Sequence, residues 1–217
     1  MMTNLFTTFD PCTGAFSLNW LSSLLMIILM PYNYWVVPNK NMMIIMNLVK
    51  NLSSEIKVIM PLKGFKLLMM SLFLMVMYNN IMGLMPYIFT ASSHLLFSLS
   101  LALPIWLSFM LYGWTNKTNL MFSHLVPMGT PIVLMPFMVL IESISNLIRP
   151  GSLAVRLTAN MIAGHLLMSL LGGNVSSVIL MIITMMIFML LMAFEFAVSM
   201  IQSYVFMTLM NLYSSEV

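Results

Sequence analysis

The chain has 217 residues, 61% of them hydrophobic and 6% charged, with a mean hydropathy of +1.03. Soluble globular domains carry roughly a quarter charged residues, so this composition excludes them and requires a polytopic membrane protein. The net charge of +3 rests on eight basic and five acidic residues, too few to build a nucleic-acid surface, so the place of each charge matters more than the total.

Residues 1–16 carry Asp10, Pro11, Thr13 and Gly14 and read as an exposed N-terminal segment. Its Cys12 is the single cysteine, which excludes an internal disulfide and any cysteine-based metal cluster. Neither a basic n-region nor an Arg-rich amphipathic leader precedes the first apolar run, which predicts that the protein is made in the compartment where it works. Residues 18–37 supply one membrane crossing, shortened or bent near Pro31, with Trp20 and Trp35 close to its two ends.

Residues 41–62 differ in kind. Between Asn39 and Lys66 lie Lys40, Lys50, Lys57, Lys63 and Lys66, five of the eight cationic residues. Ile45, Leu48, Val49, Leu52, Ile56 and Ile59 recur at helical spacing with Asn47, Lys50, Asn51 and Ser54 between them. That pattern predicts an amphipathic helix on the membrane surface, the bland alternative being a solvated linker. The positive-inside bias puts this side on the inner face of the membrane and the N-terminus on the other side.

Residues 67–89 and 95–113 read as a transmembrane hairpin. The first limb holds Asn79, Asn80, Gly83 and Pro86, amides and small residues suited either to interhelical packing or to proton conduction. His94 lies in the polar stretch TASSH between the limbs and reads as an incidental loop histidine. The second limb contains Pro104 and returns to the side of Lys117. Val126–Pro131, with two prolines and a glycine, predicts an irregular lead-in to the next helix.

Residues 131–171 and 178–212 form the last hairpin. Each is far longer than a perpendicular crossing needs, so both must tilt steeply, or the first must bend at Pro136 and Pro150. Gly172, Gly173 and Asn174 end the first limb. Inside it lie Glu142, Arg149, Arg156 and His165, and a charge at the bilayer centre costs roughly 2.5–3.5 kcal/mol on insertion scales. Helix geometry advances about 100° per residue, so Glu142, Arg149 and Arg156, seven apart, share one stripe that Asn146 and Asn160 extend. His165 faces the opposite way. The second limb offers Glu195, Ser199 and Gln202 at i, i+4 and i+7, one polar face in an apolar helix. Antiparallel neighbours pair residues whose numbers have a constant sum. Arg156 with Gln202 and His165 with Glu195 agree to within two, so both pairs can meet in one register. That register centres beyond the glycine turn, which requires either an oblique crossing or an unpaired start to the second limb.

Arginine keeps its proton at any attainable pH, so Arg156 can hold a carboxylate ionised and act as a barrier but cannot relay protons. Neither Glu142 nor Glu195 is its obvious partner, which points to an anion from another subunit. His165 and Glu195 can titrate near working pH and suit proton relay near the glycine turn; Glu142, nearer the lysine-rich side, is a relay candidate at the other end.

The stretch LAVRLTANMIAGHLL, Leu153–Leu167, resembles the signature of subunit a of the F-type ATP synthases. HLVPMGTP (His124–Pro131), IESIS (Ile141–Ser145) and IQSYVF (Ile201–Phe206) are similar to the mitochondrial branch of that family. Twenty-nine methionines fit such an origin, since a mitochondrial code reading an extra codon as Met would raise their number beyond what methionine's adaptability explains.

The resemblance implies an all-α polytopic protein of about five transmembrane helices plus one amphipathic matrix-surface helix, in the mitochondrial inner membrane. It implies an N-terminus in the intermembrane space and a C-terminus in the matrix. Its partners would be the c-subunit ring, whose carboxylates face Arg156, other Fo and peripheral-stalk subunits, membrane lipid and protons. Arg156 matches the family's essential arginine, Asn160 and Gln202 its polar neighbours, and Glu142, His165 and Glu195 its channel positions, while the motif does not demand Arg149. No cofactor and no active site of its own are implied. A non-conducting structural subunit of a respiratory complex is the main rival reading. An intramembrane metalloenzyme is disfavoured because HExxH is absent and the three histidines lie on separate segments.

Overall fold

The computed structural model describes residues 5–14, 16–31, 35–59, 63–126, 130–173 and 177–216. Parts of the first crossing (32–34), of the amphipathic helix (60–62), of the irregular lead-in (127–129) and of the glycine turn (174) lie outside the described residues. Every regular element among the described residues is helical.

After a short 3₁₀ turn, Leu5–Phe9, a helical stretch runs over Leu18–Leu29, wound as 3₁₀ over Leu18–Leu24 and as α1 over Leu25–Leu29. It spans about 21 Å at 2.0 and 1.5 Å per residue, short of the roughly 30 Å hydrocarbon thickness. The chain leaves the helix at Met30, just before Pro31, where the proline disfavours helical geometry in the residue before it. Four later helices are long and apolar enough to cross a membrane, over Gly64–Gly83, Leu95–Asn116, Ile132–Gly173 and Val178–Ser215. The expected count of about five therefore becomes four spans of full length and one shorter apolar helix.

The surface helix α2, Lys40–Ile59, follows the amphipathic pattern. Met42, Ile45, Val49, Leu52, Ile56 and Ile59 turn inward while Lys40, Lys50 and Lys57 are exposed. Ile56 is fully buried against α3 and α7, so this face rests partly on the bundle itself, and Leu48 falls outside it, exposed.

Helix α3, Lys63–Gly83, is the centre of the bundle. Met69, Phe73, Val76 and Asn80 recur at i, i+4, i+7 and i+11 and are all buried. It ends at Gly83, earlier than the residue 89 predicted. The chain then turns through Pro86 and Tyr87, whose φ of 66° is uncommon for a bulky residue. A 3₁₀ turn at Ala91–Ser93 leads into α4, Leu95–Asn116, which continues through Pro104; α5, Thr118–His124, follows at once.

The last hairpin comprises α6, Met135–Gly173, and α7, Val178–Glu216, each 39 residues. At 1.5 Å per residue each is about 58 Å long. Pro136 stands in the first turn of α6, where a missing N–H costs nothing. Pro150 stands inside, leaving one carbonyl of the preceding turn without its helical donor. The core joins Leu153, Ala154 and Leu157 of α6, Phe206, Met207 and Met210 of α7, and the buried face of α3. In lipid, apolar burial gains little by transfer, so close packing and internal hydrogen bonds hold such helices together. Buried hydroxyls accordingly donate within their own helices, as Ser98 to Leu95, Ser199 to Phe196 and Ser203 to Met200.

Candidate functional site

The hairpin brings Arg156 and Gln202 to one cleft, one of the two pairs its register allows, while Glu195 packs on Gly164 beside His165. The Arg149 guanidinium lies 5.1 Å from the centroid of the Tyr213 ring. Two turns further up, Arg156 and Gln202 line a narrow cleft with Leu157 and Phe206. Further still, Gly164 lies against the Glu195 carboxylate. The choice left open by the sequence resolves towards an unpaired start: the first turns of α7, including Val178, Ile179 and Ile182, are exposed.

Three levels follow along α6. At the lower level a cavity of about 560 Å³ brings together Glu142, Asn146 and Arg149 of α6, Tyr213 of α7, Trp106 of α4 and His124 of α5. Arg149 Nη2 is 3.6 Å from Glu142 Oε1. Both side chains are part-exposed, so the pair positions the two groups more than it stabilises the fold. Arg149, which the motif did not demand, thus has a definite place between the Glu142 carboxylate and the Tyr213 ring face.

At the middle level Arg156 is exposed on the outer side of α6, with Asn160 and Gln202 half-buried near it. The ion pair between Arg149 and Glu142 is the one found among the described residues, so no carboxylate of these residues neutralises Arg156.

At the upper level Glu195 and Ser199 are buried. Glycine at 164 is required for this approach, since an added Cβ would collide with all three heavy atoms of the carboxylate, with Oε1 at 2.8 Å. His165, next along α6, has its Nε2 buried without a partner among the described residues, and its ring meets Phe9 edge-on at 6.1 Å. His165 and Glu195 share this level, yet no hydrogen bond joins them among the described residues. The imidazole opens instead on a second cavity of about 750 Å³, walled by Ser169 of α6, Phe188 of α7, the α3–α4 loop and the N-terminal Thr7–Asp10.

Two features here escaped the sequence. His94 is no incidental histidine: its Nε2 lies 2.9 Å from the Phe9 carbonyl oxygen, and its ring packs on Trp20 and Phe89 at 5.1 and 5.2 Å. The N-terminal segment is exposed along much of its length, as predicted, but Phe9 turns inward and closes one wall of the upper cavity. No periodicity marks either contact, because both join residues far apart in the chain. Asn79 and Asn80 are buried, and Asn80 leaves both its amide oxygen and nitrogen unpartnered among the described residues.

An architecture that is helical throughout the described residues, with four helices long and apolar enough to cross a membrane, defines a polytopic membrane protein. Comparison with known proteins gives the particular family. The profile of the ATP synthase A chain matches residues 16–215. Proteins named ATP synthase subunit a are 55% identical in Drosophila melanogaster, 54% in Anopheles gambiae and 54% in Locusta migratoria, each over 100% of both chains. The chain belongs to the subunit a family of F-type ATP synthases, membrane proteins of the Fo sector that serve proton transport in ATP synthesis.

Proposed function

We propose that this chain provides two proton half-channels in the mitochondrial inner membrane, separated by Arg156, so that protons cross by way of a carboxylate on a rotating ring of c subunits. The observation that carries the reading is Arg156 itself, exposed and without a counter-anion among the described residues, between cavities that hold His165 above and Glu142 below. Nine residues of helix separate it from His165 and fourteen from Glu142, about 14 Å and 21 Å along the axis. Neither group can pass a proton directly over that distance, so the ring carboxylate has to carry it.

The order of events follows from the charges. A proton taken up in the upper cavity reaches His165 and Glu195 and then a ring carboxylate, which is neutralised and can move into lipid. On the other side the guanidinium favours the ionised carboxylate, so a returning proton is shed towards Glu142. Asn160, Gln202 and Ser199 supply hydrogen-bond partners along the way, and Arg149 holds the Glu142 side chain in the lower cavity. The c-ring, other Fo subunits and the peripheral stalk are the partners. The upper cavity and N-terminus face the intermembrane space; Lys117, at the far end of the 22-residue α4 from His94, faces the matrix with the C-terminus.

Replacing Arg156 by Ala tests this. In purified, reconstituted complexes Arg156→Ala should leak protons while failing to make ATP, and Arg156→Lys should also lose synthesis, because a point charge replaces the planar fork. Normal coupling in an assembled Arg156→Ala complex would overturn the reading. Failure of Arg156→Ala to assemble, with Lys restoring function, would favour a purely structural subunit.

A further inference from the structure

We propose that Asp10 is the proton-collecting group at the mouth of the upper cavity, handing protons from the aqueous phase to the chamber that His165 lines. The proposal rests on the half-channel reading above and adds to it a residue of the N-terminal segment.

Asp10 and His165 belong to different parts of the chain and line the same cavity of about 750 Å³. Asp10 is exposed to the outside, whereas His165 presents a buried Nε2 with no partner among the described residues. The carboxylate is held in place: the Cys12 backbone N–H donates to its Oδ1 at 3.0 Å, and the Asn19 amide donates to its main-chain carbonyl at 3.1 Å. The segment is in turn clasped by His94, through the Phe9 carbonyl, and by Phe9 against His165. Among the described residues the titratable groups nearest this segment are Cys12 on the segment itself, His94 at the start of α4 and His165 on α6, and none of them is a carboxylate.

Proton supply makes such a group useful. At pH 7 a reservoir of about 10⁻⁷ M and a diffusional constant of about 10¹⁰ M⁻¹s⁻¹ limit direct capture at roughly 10³ per second. A fixed carboxylate at the mouth raises the local proton concentration, and such focusing can increase on-rates 10-fold or more. Asp10 stands exposed where buffer molecules and water reach it, whereas His165 is half-buried with its Nε2 out of contact with solvent.

The test is proton-driven ATP synthesis by the whole complex in vesicles whose Asp10 side faces the medium. Asp10→Asn keeps an oxygen for the Cys12 N–H, so the turn is preserved while proton exchange is lost. In weakly buffered medium above pH 7.5 it should run roughly 3-fold or more slower than the unmodified complex. Added imidazole, a diffusible proton carrier, should restore it, and Asp10→Glu should behave like the unmodified protein. An unchanged rate for Asp10→Asn in weak buffer, or a loss that imidazole does not restore, overturns the proposal. His165→Ala, measured alongside, separates the two ideas. If it slows synthesis while Asp10→Asn does not, the collecting role falls and the half-channel stands; if it leaves synthesis unchanged, the half-channel reading falls and the collecting role with it.

Discussion

Gly164→Ala is the most economical probe of the hairpin, because it adds one methyl group and removes nothing. In a helix the change by itself is favourable by about 0.8–1.0 kcal/mol, so α6 should form as well as before. The added Cβ would, however, lie 2.8 Å from Glu195 Oε1 and closer to the other two carboxylate atoms. Ordinary contact needs about 3.4 Å or more, so the carboxylate must retreat by roughly 1 Å, either by leaving its rotamer at about 0.5–1.5 kcal/mol or by parting the helices. A 1 Å misplacement of a reacting group can cost on the order of 10²-fold in rate, equivalent to about 2.7 kcal/mol of barrier. We therefore expect assembled Gly164→Ala complexes to lose between about 10- and 100-fold of proton-driven ATP synthesis. The added change Glu195→Asp, which shortens the side chain by one methylene, should recover part of the loss. The assay is synthesis in reconstituted vesicles normalised to assembled complex. A wild-type rate for Gly164→Ala would refute the claim that Glu195 acts from its place against α6. A double variant worse than both single variants would refute the steric account.

Replacing Glu195 by Gln or His165 by Ala should slow proton uptake without preventing assembly, because a carboxamide keeps the shape but cannot exchange a proton; Glu142→Gln should slow release in the same assay. Arg149→Met should leave assembly intact, since part-exposed ion pairs add little stability, but should slow proton release by freeing Glu142 from its position; equal rates would make Arg149 dispensable. At Cys12 the Asp10 carboxylate, chiefly through a hydrogen bond from the thiol and then through its charge, pushes the thiol pKa above its usual value. The thiolate is the reactive form, so maleimide labelling of Cys12 at pH 7 should be slower than that of a free thiol, rise with pH and be faster in Asp10→Asn. Labelling exclusively from the matrix side would reverse the proposed orientation.

Much of this protein was legible in its sequence because a membrane imposes strong local rules. Long apolar runs have to be helices, since lipid satisfies no backbone group, and each charge within them stands out against the composition. The amphipathic face of α2, the two overlong limbs of the hairpin and the pairing of Arg156 with Gln202 all follow from periodicity and number sums, which are properties of one or two helices at a time. Tertiary structure alone decided what depends on contacts between distant segments. The ion pair and ring contact that place Arg149 need α7 to come alongside α6. Gly164 acquires its meaning only when the Glu195 carboxylate is packed against it. His94 and Phe9, 85 positions apart, meet only because α3 ends at Gly83 and its loop turns back towards the N-terminal segment. Such loop and terminal contacts carry no repeating pattern, so the chain encodes them in a shape that has to be built before it can be read.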